Sequence, residues 1–152
     1  SGLVFNGLVL LSDSTLTLES YGKLNSGVQL QGTISGVNNN IILYGDVSAS
    51  FLNDTAGVQI LDSSIVLDSS FVSIHGVVSP FDSASETSGV SINNSTIITA
   101  AGYIEIFGNN TLNTLSPNGY GFFGRNSLFE SRASGIFQIQ GTVSGNGTTS
   151  SS

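Results

Sequence analysis

The chain has 152 residues, of which 39% are hydrophobic and 9% are charged, and three basic residues against ten acidic ones give a net charge of −7. The shortage of Lys and Arg argues against a nucleic-acid groove or a polybasic lipid-binding patch, and no apolar run is long enough to span a membrane. The absence of cysteine excludes disulfides and thiolate metal sites. We therefore expect one domain without a metal or other cofactor that does not bind nucleic acid.

Five similar segments follow one another along the chain. The first two, residues 2–20 and 27–45, align without a gap at an offset of 25, and the next two, 57–76 and 89–108, align without a gap at an offset of 32. A looser fifth copy covers 121–141. Repetition at such periods predicts a solenoid, in which each unit supplies the packing surface that its neighbour lacks.

Apolar residues occupy the same positions in every copy. Alternation with a period of two indicates strands with one buried face. Two columns of the closing strand form the predicted core ladder: Ile41, Val72, Ile104 and Phe137 in one, and Leu43, Ile74, Ile106 and Ile139 in the other. An opening strand contains Leu3, Val28, Val58, Val90 and Phe122, and a shorter one is centred on Val9, Ile34, Ile65, Ile97 and Leu128.

Three short strands per copy, turned at Gly and Asn residues that tolerate left-handed backbone angles, predict an all-β, right-handed parallel β-helix of about five rungs. The segments 46–56, 77–88 and 109–118 vary in length and are predicted to be side loops. We assign residues 1–145 to a single β-helix and 146–152 to a flexible Gly/Ser/Thr tail. No cap is recognisable, which favours a fragment of a longer rod or, alternatively, end-to-end self-association of copies.

The segments "GVQILDSSIVLDSSFVSIHG" and "GVSINNSTIITAAGYIEIFGNNT" resemble the repeats of filamentous haemagglutinin-like exoproteins, the large adhesins that Gram-negative bacteria export by two-partner secretion. The resemblance covers about residues 2–145, and the fifth copy departs from the pattern at Gly124 and around Arg125 and Arg132. It implies a structural shaft segment of a secreted bacterial cell-surface adhesin, involved in cell adhesion or biofilm formation. It further implies a surface glycan or protein as receptor and an outer-membrane secretion partner.

Two other functions remain open: a β-helical carbohydrate-active enzyme or phage tailspike, and a self-assembling extracellular filament. Catalysis on this fold would need clustered carboxylates. The candidate pairs are Asp62 with Asp68 and Asp46 with Asp54. The only cations, Lys23, Arg125 and Arg132, offer an anionic transition state little help, and His75 is the one histidine for any Ser-His-Asp arrangement. We therefore expect no enzymatic activity and assign no catalytic residue.

One column of the closing strand faces outward and reads Glu19, Tyr44, His75, Phe107 and Gln140. The rings of Tyr44, His75 and Phe107 are expected to form an exposed aromatic stripe that stacks on sugar rings or meets a partner protein. Cover by the segment 77–88 or by a neighbouring chain is the alternative.

Asn-x-Ser/Thr sequences fit surface turns of this fold. The candidate glycosylation sites are Asn53, Asn93, Asn94, Asn109 and Asn146. In a chain rich in Asn and Thr, chance matches are the alternative.

Overall fold

In a computed structural model, the chain is all β, with no helix in the described residues, which are 2–22, 26–50, 53–80, 86–112, 119–133 and 135–145. The strands are β1 Leu3–Ser12, β2 Thr15–Gly22, β3 Val28–Val37, β4 Asn40–Ser50, β5 Ala56–Leu61, β6 Ser64–Asp68, β7 Phe71–Pro80, β8 Thr87–Asn93, β9 Thr96–Thr99, β10 Tyr103–Leu112, β11 Gly119–Arg125, β12 Leu128–Ser131 and β13 Ile136–Gly145. Accordingly, this part of the chain contains no helix that could cross a membrane.

The strands stack in parallel as a β-solenoid, which confirms the expected fold class. One sheet has the order β13-β10-β7-β4-β2, and the other holds the remaining strands, with β3 pairing to β1 on one side and to both β5 and β6 on the other. About three turns of the solenoid have a neighbouring turn on each side, whereas about five rungs were expected. The difference arises because the first and fifth copies form the ends of the described solenoid.

The pairing register of the five-stranded sheet follows the aligned apolar columns. Ile41 pairs with Val72 and Val72 with Ile104, while Leu43 and Ile106 both pair with Ile74. These side chains are fully buried and pack against inward residues of the opposite sheet. The inward columns therefore form one continuous core along the rod, in which each coil covers the apolar surface of the next.

The core thins at the fifth copy. Phe137 pairs with Ile104 as aligned, but its side chain is 44% exposed, and Ile139 is only partly buried. Phe137 thus differs from the expected core position, because no described strand covers the outer side of β13. In the short strand of this copy, Phe129 and not Leu128 pairs with Ile97, so the expected centre is wrong by one residue.

The strands β4, β7 and β10 run through the repeated glycines and extend four or five residues beyond them. The segments expected to be side loops therefore begin as strand. This extension adds a further buried layer, in which Val47 pairs with Val78 and Val78 with Asn110. Residues 51–52, 81–85 and 113–118 of these segments and the expected tail at 146–152 lie outside the described residues.

At the repeated glycines the backbones of the two sheets lie too close together for a Cβ atom between them. A Cβ atom on Gly76 would overlap the carbonyl oxygen of Gly89, and one on Gly45 would overlap that of Gly57. Only a residue without a side chain fits such an approach. The sequence pattern indicates that a strand ends at each of these glycines. In the structure the strands continue through them, and glycine is required there because no side chain fits.

The corners are built by a left-handed residue followed by an inward serine. Asp62, Asn94 and Asn126 have φ angles of 46°, 49° and 50°. The Oγ atom of the following Ser95 donates to the carbonyl oxygen of Asn93 (2.7 Å) and accepts the backbone N–H of Ser63 (3.1 Å). Ser63 and Ser127 do the same, so hydroxyls of one coil accept hydrogen bonds from backbone N–H groups of the previous coil.

Candidate functional site

The five-stranded sheet brings the expected aromatic stripe together on its outer face. Tyr44 pairs with His75, and His75 with Phe107. The ring centroids of Tyr44 and His75 are 5.3 Å apart at an interplanar angle of 83°, and those of His75 and Phe107 are 6.2 Å apart at 62°. His75 is exposed, and the other two rings are half-buried. Because adjacent rings are steeply inclined, the stripe presents edges and not one flat platform.

Tyr21 extends this stripe, although it belongs to a different column. Its ring lies 5.4 Å from that of Tyr44, and its side chain is 72% exposed. Burial raises the pKa of Tyr44, and the carboxylate of Asp46, the pairing partner of Tyr21, adds to that rise. Column alignment alone misses Tyr21, because the contact runs diagonally between two columns.

A second pair of rings lies on the same face. Phe71 and Tyr103 are stacked with centroids 5.3 Å apart and an interplanar angle of 1°, so that each ring covers a face of the other. The Tyr103 hydroxyl donates to Oε1 of Gln138 (3.2 Å), and Ser73 Oγ donates to Oε1 of Glu105 (2.7 Å). Desolvation and the nearby Glu105 carboxylate raise the pKa of Tyr103. The polar groups of this face thus largely bond to one another.

The opposite sheet carries a groove of about 410 Å³ over β5, β8 and β11. We call it the lateral groove; its lining residues are Asp54, Gln59, Glu86, Ser88, Ser91, Asn93, Tyr120, Phe123 and Arg125. Ser88 and Ser91 are buried and form its floor. The rings of Tyr120 and Phe123 lie 5.2 Å apart at an interplanar angle of 46° and form one wall.

Two carboxylates stand at one end of the lateral groove. Asp54 and Glu86 have left-handed backbone angles, with φ values of 57° and 58°, and lie at equivalent positions before β5 and β8. A left-handed conformation is uncommon for a residue with a Cβ atom. Both acids are exposed at the surface of the groove.

Arg125 lies at the other end of β8 from Glu86, because it pairs with Asn93. Arg132 is neutralised by Glu130, with Nε 2.9 Å from Oε1, and this hydrogen bond lowers the pKa of Glu130. Within the described ranges, Arg125 is the basic residue without an ion pair. The lateral groove therefore contains acidic, aromatic and cationic groups in sequence along its length.

A buried amide hydrogen-bonds the backbone beside the lateral groove. Asn110 occupies the column that holds Val47 and Val78 in the preceding coils. Its Nδ2 donates to the carbonyl oxygens of Thr87 (2.7 Å) and Tyr120 (3.3 Å), while its buried Oδ1 has no hydrogen-bond partner. Asn110 thus ties together the beginnings of the two strands that carry Glu86 and Tyr120.

The members of each carboxylate pair weighed for catalysis lie at different places in the structure. Asp62 accepts a hydrogen bond from Nδ2 of Asn94 (3.2 Å) in a polar ladder at the corner, and Asp68 is exposed at the end of β6. Asp46 lies on the stripe side and Asp54 in the lateral groove. No three His, Asp or Glu side chains of the described segments lie close enough to hold a metal ion.

The candidate glycosylation sites differ in accessibility. Asn53 and Asn94 are exposed, whereas Asn93 and Asn109 are half-buried. Asn94 is hydrogen-bonded to Asp62 and Asn126, and Oδ1 of Asn109 is buried. Asn146 lies outside the described residues.

Comparisons with protein-family models, curated proteins and solved structures found no match to this chain. The resemblance to haemagglutinin-like repeats therefore stays a prediction from the sequence.

The lateral groove was missed at the level of sequence, yet the repeat alignment carries a signal for it. At the offset of 32, the fifth copy replaces Ser88 by Tyr120 and Ser91 by Phe123. Gly124 pairs with Ile92, so the register is intact where the copy departs from the pattern. The Phe122 ring fills the space beside Gly124. The departure marks a change of surface chemistry on an unchanged scaffold.

Proposed function

We propose that the chain forms part of the structural shaft of a large secreted adhesin on a bacterial cell surface, which holds a binding region away from the membrane. The observation that carries this proposal is the unbroken register of inward columns. Each coil is joined to the next by backbone hydrogen bonds on two sheets and by the corner serines. A load along or across such a rod is shared by many parallel bonds, as a spacer requires.

The ends of the described solenoid support the same function. Within the described residues, β2 and β13 each pair with a strand on one side only, and Leu3 and Phe137 are partly exposed there. Exposed strand edges with apolar side chains favour pairing with a further coil. A coil of the same longer chain would extend the shaft, and a second copy would build the alternative extracellular filament.

The native polypeptide tests the proposal directly. An antibody raised against residues 53–112 would be used to probe surface, medium and cell fractions under denaturing and native conditions. We expect a very large chain that is surface-bound or shed. A short chain free in the medium would refute the shaft, and glycan-cleavage assays would then test the enzyme. A short chain recovered only as high-mass polymer would instead support the filament.

Deletion of one whole repeat tests spacing itself. Removing residues 57–88 from the full-length chain joins Ala56 to Gly89 at an equivalent position and should shorten the rod by one coil, about 4.8 Å. We expect normal surface display and adhesion. The control deletion of 57–72 breaks the register and should abolish display. A whole-repeat deletion that is displayed but no longer adheres would assign binding to this segment and contradict a role in spacing alone.

A further inference from the structure

The repeat pattern is broken at several positions in and beside the lateral groove. The breaks are the buried amide of Asn110 in a valine column, the two rings of β11 where β8 has serines, and Arg125, which forms no ion pair within the described residues. Departures from a locally consistent pattern concentrate at functional sites, where stability is exchanged for a specific geometry. The two rings and Arg125 come from β11 and line one surface, and Asn110 of β10 hydrogen-bonds the backbone beside it.

Asn110 explains how this geometry is held. A buried amide with an unpaired oxygen is less favourable than the valine of the preceding coils. Its Nδ2 hydrogen-bonds the backbone of Thr87, next to Glu86, and the backbone of Tyr120. It therefore fixes the backbone next to Glu86 and at Tyr120.

We propose that the lateral groove binds an oligosaccharide. The rings of Tyr120 and Phe123 offer an apolar wall on which the C–H face of a sugar can pack. The carboxylates of Asp54 and Glu86 accept hydrogen bonds from sugar hydroxyls, and the amide of Asn93 both donates and accepts them. A ligand rich in hydroxyl groups matches this combination better than an apolar peptide segment, which would leave these polar groups unpaired.

Arg125 adds a further element of specificity. A free guanidinium at the end of the groove opposite the carboxylates can donate two parallel hydrogen bonds to a carboxylate of an acidic sugar. This site goes beyond the proposed function, because a shaft that only spans needs no groove.

The preceding coil provides substitutions that the fold already accommodates. Ser88, Ser91 and Asn93 stand in register beside the three groove residues of β11. The variants Tyr120→Ser/Phe123→Ser and Arg125→Asn therefore introduce into β11 the residues that β8 has at the paired positions, and they should fold normally. Phe71→Asn is the matched control, because Phe71 is an outward ring on the other sheet whose pairing partner is Asn40.

The experiment probes the purified chain on a printed array of neutral, amino-sugar, uronate-containing and sialylated oligosaccharides. The best binder is then measured in solution by isothermal titration calorimetry. We expect saturable binding whose Kd rises about tenfold in Tyr120→Ser/Phe123→Ser and stays unchanged in Phe71→Asn. For an acidic oligosaccharide, Arg125→Asn should weaken binding about tenfold. Thermal unfolding of each variant confirms that the fold is kept.

Three results would overturn the proposal. One is the absence of saturable binding to every class on the array. Another is binding that the folded Tyr120→Ser/Phe123→Ser variant retains in full. The third is binding lost in Tyr44→Ser/Phe107→Ser but kept in the groove variant, which would place the sugar site on the aromatic stripe. Because the fractionation experiment above needs no sugar binding, the shaft and the groove can fail separately.

Discussion

The inward and outward columns of the same strand follow different rules. On β7, Val72 and Ile74 face the core and pair with large aliphatic residues on both sides. Ser73 and His75 lie next to them and face outward. Ser73 pairs with Ile42 and Glu105, whereas His75 pairs with the rings of Tyr44 and Phe107. The inward columns therefore specify the fold, while the outward columns are free to vary from coil to coil and to carry binding surfaces.

The sharpest test of this difference places the same charge on adjacent residues. Ile74→Asp buries a carboxylate without a partner in the middle of the core and should lower the free energy of unfolding by about 4 kcal/mol or more. His75→Asp places it in water and should change that energy by less than about 0.5 kcal/mol. Denaturant unfolding followed by circular dichroism measures both. Equal midpoints for the two variants would contradict the assigned faces.

The glycine line should be nearly as sensitive as the core. Gly76→Ala forces a methyl group against the carbonyl oxygen of Gly89 and should cost about 3 kcal/mol. Gly22→Ala is the matched control, because a Cβ atom at Gly22 meets open space. It should be neutral or slightly stabilising, since alanine restricts the unfolded chain. Comparable destabilisation by both changes would mean that the close approach between the sheets is not rigid.

The corner serines form an inward column of polar residues and should contribute less. Ser95→Ala removes the acceptor of the Ser63 N–H and leaves that buried donor unpaired, at a cost of about 2 kcal/mol. Ser48→Ala changes an exposed serine of β4 and should have little effect. Amide hydrogen exchange of the Ser63 N–H adds a local readout, because exchange should accelerate in Ser95→Ala alone. An unchanged exchange rate would disprove the role of the hydroxyl.

The inward columns were predictable because burial repeats with the strand period in every copy. Val72, Ile74 and their equivalents can be aligned by eye, and the structure pairs them in that register. The partial exposure of Phe137 could not be derived in the same way. Alternation indicates which way a side chain points, whereas its burial also depends on a covering strand, and β13 has one on a single side among the described strands.

The sequence pattern did not reveal the corner of the third coil, which is created by a single additional residue. Gln29 pairs with Gln59 at an offset of 30, whereas Thr33 pairs with Ser64 at an offset of 31. The extra residue converts the continuous strand β3 into β5 and β6, with the left-handed Asp62 between them. Its effect on the backbone depends on the neighbouring coil, because Ser63 accepts the Gly32 N–H there. The sequence pattern also did not reveal the lateral groove, because the residues that line it come from three coils.

The smallest effect concerns an outward residue that is partly covered. Burial and the Asp46 carboxylate raise the pKa of Tyr44 in the folded chain. The folded state therefore holds the phenol proton to higher pH than the unfolded state. The stability linked to this residue is complete below the unfolded pKa of about 10 and is lost as the pH rises through the higher folded pKa.

An alkaline titration of the tyrosine ring carbons by NMR should show Tyr44 ionising above the unfolded reference. Asp46→Asn should lower the Tyr44 pKa and leave that of Tyr103 raised, because Tyr103 responds to its own desolvation and to Glu105. A Tyr44 that titrates at the reference pH in the folded chain would contradict its partial burial. Such a result would mean that the rings of the stripe are freely solvated. Tyr44 would then be as fully exposed to water as the inward residues of its strand are buried.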